Sequence, residues 1–196
     1  MDRADVEAMI EGLRSDEAAE YEWTMQIDAS ELRPMVATPG DPGNGMPIDA
    51  LPDEVPIDIV YAGSCTGAKP DDIRMAARVV KAALAHGERV AESVTAYLQY
   101  GSLEVEELAH DEGFHDLFVQ AGFNVLAPGC GACINAGPGV STTPDDVTVS
   151  SINRNFPGRS GTGKVYLASP YTTVASAFAG RIVPFEPQRE AVPAGA

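Results

Sequence analysis

Strand and helix patterns alternate along this chain from residue 57 onward. The run IDIVYAG is short, apolar and rich in β-branched residues, and it ends in glycine before the turn GSCTGAKP. In the next segment, DDIRMAARVVKAALAHG, apolar residues recur at helical spacing, acidic residues open the first turn, and Gly87 ends the pattern. A strand, a loop and a helix in this order predict a parallel α/β sheet.

The rest of the chain continues this alternation. We predict strands in RVAESVTAYLQY, FNVLAP, DVTVSS and KVYLAS, two short helices in LEVEELAHDEGFHDLFVQAG separated at Gly113, and a closing helix in PYTTVASAFAG. The expected fold is an α/β domain with three layers, α/β/α, around a mainly parallel sheet. Active sites of such sheets form at the carboxyl ends of the strands. The turns GSCTG and PGCGAC both follow predicted strands, so they should emerge on the same surface.

Residues 1–56 are predicted to form an N-terminal arm in front of this domain. MDRADVEAMIEGLRSDEAAE has the pattern of a charged amphipathic helix, and YEWTMQID alternates apolar and polar residues like a half-buried strand. Residues 34–56 are dense in proline and glycine, which indicates an extended connection. The expected organisation is therefore the arm at 1–56, the α/β domain at 57–185 and a disordered tail at 186–196.

The charge of the chain limits its partners. Lysine and arginine number 13 against 29 aspartates and glutamates, which gives a formal net charge of −16. Nucleic acid is not an expected partner, because phosphate binding needs clustered positive charge. The sequence has no apolar run long enough to cross a bilayer and no secretory signal pattern at its start. We therefore expect no membrane partner, and we predict a cytoplasmic protein.

The three cysteines, Cys65, Cys130 and Cys133, are the first candidates for chemistry. An odd number of cysteines without a signal peptide disfavours a disulfide framework and indicates thiols that are kept reduced. The CxxC motif in PGCGAC is compatible with two small buried thiols that have no further role. It is also compatible with a redox pair, although such a pair should open a helix and GCGACINAGPG is a poor helix start.

Two kinds of metal site are further alternatives for these thiols. A closed zinc site needs four ligands, and its nitrogen candidates are His86, His110 and His115, all within predicted helices. A cubane iron–sulfur cluster can instead be held by three thiolates, and its open iron then acts as a Lewis acid on a substrate oxygen. The glycines around Cys130 leave the backbone free to wrap around such a bulky ligand. The cysteines alone leave all four alternatives open.

The loop SSINRNFPGRSGTGK, residues 150–164, is the second candidate. Arg154 and Arg159 are isolated cations in an acidic protein, and planar guanidinium groups bind carboxylates in a bidentate way. Pairing with surface acids is the structural alternative. Residues 158–164, GRSGTGK, also fit the spacing of a phosphate-binding loop, so a nucleotide-binding protein is an alternative of another class. It is disfavoured because valine follows the lysine and KVYLAS is a predicted strand.

Taken together, these motifs resemble the aconitase and isopropylmalate isomerase family of iron–sulfur hydro-lyases, specifically the family's third domain. GSCTG resembles the family's GSCTN, PGCGAC its second and third cluster ligands, and SINRNFPGRSG its substrate-binding stretch with NRNF and GR. YGSLEVEELAHDEGFHDLFVQAGF is similar to the family's PGS segment and the helices after it. The motifs keep the family's order and separations, and the resemblance extends from about residue 10 to about residue 185.

The resemblance implies a [4Fe-4S] cluster and a hydroxy di- or tricarboxylic acid substrate. In the family's reaction the open iron activates the leaving hydroxide while a base removes a carbon-bound proton. The residues carried over by the resemblance are Cys65, Cys130 and Cys133 as cluster ligands, and Asn153, Arg154, Arg159 and Ser102 as substrate-binding residues.

The chain departs from the family's pattern in two ways. Gly67 stands where the family has the asparagine of CTN, which removes an amide beside the cluster. The resemblance also covers only the third domain, so the acid–base groups and the swivelling domain are expected on partner chains, and no catalytic acid or base is assigned here. We therefore expect a hydro-lyase component of the isopropylmalate isomerase or aconitase type, working in a hetero-oligomer. The alternative is a non-catalytic iron–sulfur or metal-sensing module derived from the same family.

Overall fold

A computed structural model describes residues 3–185 of the chain. Contacts divide the chain into two compact units between Leu32 and Arg33. The larger unit, from Arg33 onward, contains a seven-stranded sheet. Its strands are β1 (Met35–Ala37), β2 (Gly45–Pro47), β3 (Ile59–Gly63), β4 (Thr95–Gln99), β5 (Asn124–Leu126), β6 (Val147–Ser150) and β7 (Lys164–Ala168).

The longest helix begins and ends close to its predicted signals. Pro70 opens the longest helix, where the Asp72 carboxylate accepts a hydrogen bond from the Lys69 N–H at 3.0 Å. Across residues 3–185 we find no helix with the length and apolarity that a bilayer crossing requires. The helices are α1 (Arg3–Ile10) in the smaller unit, and α2 (Ser64–Gly67), α3 (Pro70–Ala85), α4 (Leu103–Asp111), α5 (Phe114–Ala121) and α6 (Pro170–Ala179) in the larger one.

The sheet is mostly parallel, with the strand order β2-β1-β7-β6-β3-β4-β5. The five strands from β7 to β5 pair in parallel, whereas β1 pairs antiparallel with both β7 and β2. The predicted α/β fold with a mainly parallel sheet is confirmed. Because β3 lies between β6 and β4, the loops after these strands leave the sheet side by side.

The two faces of the sheet have different coverings. Val60 and Ala62 of β3 lie in the main apolar core, on the face where α6 packs against β3 and α3 packs against α5 and α6. Tyr61 alternates to the opposite face, where it packs in a smaller cluster with Ala132 and Cys133. The loops that carry the cysteine and arginine motifs contribute to this second cluster, so the candidate site lies against the face opposite the helices.

The smaller unit differs from its sequence prediction. Its helix ends at Ile10, although the amphipathic pattern continues to residue 20. The predicted strand in YEWTMQID is wrong, because residues 21–28 form no strand and pair with no strand among the described residues. An alternating pattern gives a strand only where a neighbouring strand can satisfy the backbone hydrogen bonds.

Residues 34–56 also differ from the predicted boundary. This segment contains β1 and β2, and the pairing of β1 with β7 joins it to the main sheet. The compact unit accordingly starts at Arg33, not at Ile57. The turn between β1 and β2 contains Pro39, Gly40, Pro42 and Gly43, and in it the Thr38 N–H donates to the Asn44 carbonyl at 3.0 Å. The predicted disordered tail at 186–196 lies outside the described residues.

Candidate metal centre and anion site

Cys65 lies in a tight turn at the carboxyl end of β3. Gly63 (φ 111°) and Ser64 (φ 71°) both have positive φ values, and Ser64 is fully buried. A Cβ on Gly63 would lie 2.0 Å from the Gln99 carbonyl oxygen, so only glycine fits there. Ser64 Oγ accepts a hydrogen bond of 2.7 Å from the Cys65 N–H. This strained turn leaves Cys65 exposed beyond the end of the strand.

Cys130 and Cys133 lie in the loop after β5. Gly131–Ile134 forms one turn of 3-10 helix, and the Cys133 N–H donates to the Cys130 carbonyl at 3.1 Å. Cys130 is exposed, whereas Cys133 is only 5% exposed. All three cysteines are free thiols. A four-residue 3-10 turn is not the helix start that a thioredoxin-like redox pair requires.

The segment after β6 contacts both cysteine loops. Ser151 Oγ accepts a hydrogen bond from the Gly63 N–H at 2.8 Å and donates to the Gly67 carbonyl at 3.4 Å. Two residues later, Asn153 Oδ1 lies 3.8 Å from Cys133 Sγ, which donates to it. One short segment therefore connects the turn after β3 with the loop after β5, which agrees with the prediction that both loops emerge at one edge of the sheet.

Arg159 contacts the cysteine loop through its guanidinium group. Its Nη2 donates a hydrogen bond of 3.5 Å to Cys133 Sγ. Its Nε is buried and has no hydrogen-bond partner within residues 3–185, and no carboxylate in that range forms a salt bridge with it. An unpaired buried donor costs about 1–3 kcal/mol, and more when the group is charged. The arrangement is a cation beside a thiol, with one buried donor that has no partner among residues 3–185.

Arg154 and Ser102 are the other two predicted substrate-binding residues. Arg154 is exposed, and its Nη1 donates to the Asn153 carbonyl at 2.8 Å. Ser102 caps α4, where its Oγ accepts a hydrogen bond of 3.3 Å from the Val105 N–H. Ser102 also lines a pocket of about 320 Å³ together with Cys65. The structure thus places Asn153 and Arg159 beside Cys133, and Ser102 beside Cys65.

Tyr61 and Gln99 form a buried polar pair under the cysteine loop that the sequence analysis missed. The Tyr61 hydroxyl donates to Gln99 Oε1 and accepts a hydrogen bond of 3.3 Å from the Ala132 N–H. Burial raises the pKa of Tyr61 to about 12; the Ala132 N–H lowers it, and the neighbouring Cys133 and Cys130 thiols raise it further. The hydroxyl therefore stays protonated at neutral pH. The available signal was a glutamine at the end of the otherwise apolar strand pattern of β4.

The three histidines form no metal-ligand set with the cysteines within residues 3–185. His86 lies at the end of α3, with its Nδ1 2.9 Å from the Ala82 carbonyl. His110 and His115 stack on each other with ring centroids 4.1 Å apart. Within residues 3–185 no three His, Cys, Asp or Glu side chains are placed to hold a single metal ion, so the zinc alternative gains no support. Thiolates that bind separate irons of a cubane lie farther apart than the ligands of one ion, so the lack of a single-ion site within residues 3–185 has no bearing on a cluster.

Residues 158–164 do not have the geometry of a phosphate-binding loop. Lys164 begins β7, so the GRSGTGK segment leads into a strand and not into a helix. Its Gly161 lies against Ser141, where a Cβ would be 2.1 Å from the carbonyl oxygen. The disfavoured nucleotide-binding alternative therefore receives no structural support.

Gly67, the departure from the family's asparagine, lies against the segment after β6. A Cβ on Gly67 would lie 2.3 Å from the Ser151 carbonyl oxygen and 2.9 Å from Ser151 Oγ. No side chain fits at this position without moving the backbone of Ser151. Gly67 therefore leaves room for Ser151 to lie close to the turn, and the Ser151 hydroxyl is a polar group beside that turn.

Comparison with known proteins gives these features a family context. A model of the aconitase family, described as aconitate hydratase, matches residues 2–180. Three similar proteins are each named 3-isopropylmalate dehydratase large subunit. They come from Campylobacter fetus subsp. fetus, 42% identical over 171 residues, Geobacter sulfurreducens, 39% over 170, and Picrophilus torridus, 39% over 171.

These alignments cover most of this chain but a minor part of each relative. Each covers 86% of the chain, and they cover 39%, 38% and 40% of the three relatives, respectively. The chain thus spans about two fifths of the length of the curated relatives it matches.

Proposed function

Because the chain belongs to the aconitase family, we propose that it is the part of a hydro-lyase that holds an iron–sulfur cluster and binds substrate carboxylates. The reaction removes water from a hydroxy di- or tricarboxylic acid and returns it at the neighbouring carbon. The observation that carries this proposal is Arg159, whose guanidinium contacts Cys133 and keeps a buried, unpaired Nε–H. A cation in this state favours an anion bound beside the sulfur ligand.

The donor set fits a [4Fe-4S] cluster. Cys65, Cys130 and Cys133 are unpaired thiols on loops that one segment connects. Three thiolates leave one of four irons without a protein ligand. Arg159 donates a hydrogen bond to Cys133 Sγ, so its guanidinium lies directly beside one of the proposed cluster ligands. When bound, the cluster supplies the Lewis acid for the substrate hydroxyl.

The arginines and their neighbours orient the acid in this proposal. Arg159 binds one carboxylate through Nε and Nη2, which form the planar fork that carboxylates match. Arg154, which is exposed and lies in the same loop as Arg159, binds a second carboxylate. Asn153 borders the site next to Cys133, and Ser102 lines the pocket beside Cys65. Two fixed carboxylates determine which carbon atoms of the acid face the thiols.

No group of this chain is assigned to the proton transfer. Tyr61 is the titratable hydroxyl buried nearest to the cysteine loop, and burial holds its pKa at about 12, so it is a poor base at neutral pH. The base belongs, in this proposal, to the family sequence that the chain does not span. The relatives' names favour isopropylmalate as the acid, ahead of the tricarboxylates of aconitate hydratase.

Turnover by the assembled enzyme tests this function. The chain is to be combined with polypeptide that supplies the rest of the family sequence, and the formation of the unsaturated acid is to be followed by its absorbance. We expect water loss from isopropylmalate. A fully loaded cluster with no turnover of isopropylmalate or of the tricarboxylates would instead favour the non-catalytic sensing module. The unpaired Nε–H of Arg159 argues against that module, because a sensor needs no carboxylate clamp.

Residues 4–32 are the part of this chain that favours binding of a partner polypeptide. Every residue in this range is exposed, so the segment has no core of its own. Its extended part presents apolar side chains on alternate positions without a paired strand among the described residues. Such a segment is suited to strand addition to another sheet, which the remaining family sequence supplies in this proposal. The exposed alternating side chains are Tyr21 (64%), Trp23 (69%), Met25 (62%) and Ile27 (63%).

Trp23 is expected to report this association. It is the single tryptophan of the chain and is 69% exposed, so its emission in the isolated protein should resemble tryptophan in water. Binding of the remaining family sequence should bury it and shift the emission to shorter wavelength.

Ile27→Asp, on the same face as Trp23, should weaken binding by about tenfold or more, since it buries a charge. Gln26→Asp adds the same charge on the alternate face and should leave binding unchanged. Equal effects of the two substitutions, or a complex without an emission shift, would contradict the proposed interface.

A further inference from the structure

Tyr61 and Gln99 contact the cysteine loop on both sides of Cys130. Tyr61 is 1% exposed and Gln99 is 6% exposed. The Tyr61 oxygen accepts the Ala132 N–H at 3.3 Å, and Gln99 Nε2 donates to the Ala127 carbonyl at 3.1 Å. The hydrogen bond from Tyr61 to Gln99 joins these two contacts. The loop is therefore fixed at one backbone point before Cys130 and at one between the two cysteines.

The shape of the loop is fitted to the tyrosine ring. Gly131 (φ 50°) and Gly139 (φ 88°) both approach Tyr61 with positive φ values. A Cβ on Gly131 would lie 2.2 Å from the Tyr61 hydroxyl oxygen, and a Cβ on Gly139 would lie 2.3 Å from a ring carbon. The backbone thus wraps around the ring at two places where only glycine fits.

The same strand pair determines the position of Cys65. Tyr61 belongs to β3, which leads into the Cys65 turn, and Gln99 ends β4. The Gln99 carbonyl lies so close to Gly63 that it excludes a side chain there. The two strands are paired along their whole length, from Ile59 with Thr95 to Gly63 with Gln99. The paired strands β3 and β4 therefore contact both the Cys65 turn and the loop that carries Cys130 and Cys133.

We propose that Tyr61 and Gln99 are positioning residues that hold the cysteine loop in its ligand-presenting form before any cluster binds. This inference rests on the proposed function, because it takes Cys130 and Cys133 as cluster ligands. Removing the Tyr61 hydroxyl leaves the Ala132 N–H and Gln99 Oε1 without their buried partner, so the loop opens more often. A ring that only fills space would not need the hydroxyl.

The metal-free chain gives the first test. Tyr61→Phe should raise amide exchange at Ala132 and alkylation of the buried Cys133 by about tenfold or more, the size expected for a lost buried hydrogen bond. The exposed Cys65 and Cys130 are internal references. Tyr97→Phe is the matched control, because Tyr97 lies on the adjacent strand in the same cluster and its hydroxyl has no hydrogen-bond partner among the described residues. It should change neither rate. Equal rates in the two variants would overturn the proposal.

Cluster retention is the second readout. After anaerobic reconstitution, Tyr61→Phe should bind the cluster about 10- to 100-fold more weakly than wild type, as is usual for groups that orient metal ligands. A looser loop with unchanged cluster affinity would overturn the positioning role. Gln99→Met, which lacks both polar groups, should behave like Tyr61→Phe, and it replaces that variant if circular dichroism shows Tyr61→Phe to be unfolded. Absence of a cluster from wild type would refute the proposed function, whereas the thiol and amide rates would still show whether the hydroxyl orders the loop.

Discussion

Replacing Arg159 with alanine is expected to lower kcat/KM of the assembled enzyme by about 30-fold to several thousandfold, which corresponds to about 2–5 kcal/mol for truncating one partner of a buried charge pair. The physical reason is the unpaired Nε–H, which has no acceptor within residues 3–185 until a carboxylate binds. Most of the loss should appear in KM, because an arginine in the proposed role binds the carboxylate in both the ground state and the transition state. Arg159→Lys keeps the charge but not the fork, so it should recover only part of the activity.

Two controls separate this role from others. Arg33→Ala removes a guanidinium that already pairs with Asp49 at 2.8 Å on the surface, and it should leave kcat/KM unchanged. Iron content should stay at the wild-type level in Arg159→Ala. Loss of iron in that variant would show that Arg159 serves the Cys133 ligand, which it contacts, and does not bind substrate.

Replacing Gly63 with alanine is expected to destabilise the fold by about 2–6 kcal/mol. About 1–3 kcal/mol comes from the positive φ of 111°, and a similar amount from forcing a methyl group to within 2.0 Å of the Gln99 carbonyl oxygen. This is a large fraction of the 5–15 kcal/mol that typically stabilises a domain. The free energy of unfolding in urea measures the effect. The Cys65 turn should be disrupted first, because Gly63 directly precedes it.

Gly87→Ala is the matched control for this substitution. Gly87 also has a positive φ, 75°, but a Cβ there would meet no atom within 4 Å. Its replacement should therefore cost only the backbone strain, about 1–2 kcal/mol. If both substitutions cost the same, the close approach between β3 and β4 does not restrict the Cys65 turn.

Much of the fold could be predicted from the sequence because its elements carry strong local signals. The helix in α3 has apolar residues at regular spacing, proline at its start and Gly87 after its end, and these signals act within the segment itself. The parallel sheet then followed from the alternation of strands and helices. The common edge for the two cysteine loops followed in turn from the strand directions.

The remaining features depend on contacts between distant residues. YEWTMQID has the alternation of a strand, but a strand also needs a partner, and none of the described residues provides one. The Tyr61 and Gln99 pair joins residues 38 positions apart, so no local pattern reveals it. The buried Nε of Arg159 likewise depends on how the loop folds over the sheet. Tertiary packing determines each of these, and local propensity does not.

Cluster binding by this chain is tested by the content of iron, acid-labile sulfide and zinc per chain after anaerobic purification and reconstitution, for wild type and for Cys130→Ser. We expect about four irons and four sulfides in wild type, as a cubane requires, and their loss in the variant. Circular dichroism should show both proteins folded, because Cys130 is exposed and its Sγ takes part in no packing of the core. Zinc in place of iron, or no bound metal in the folded wild type, would contradict the account.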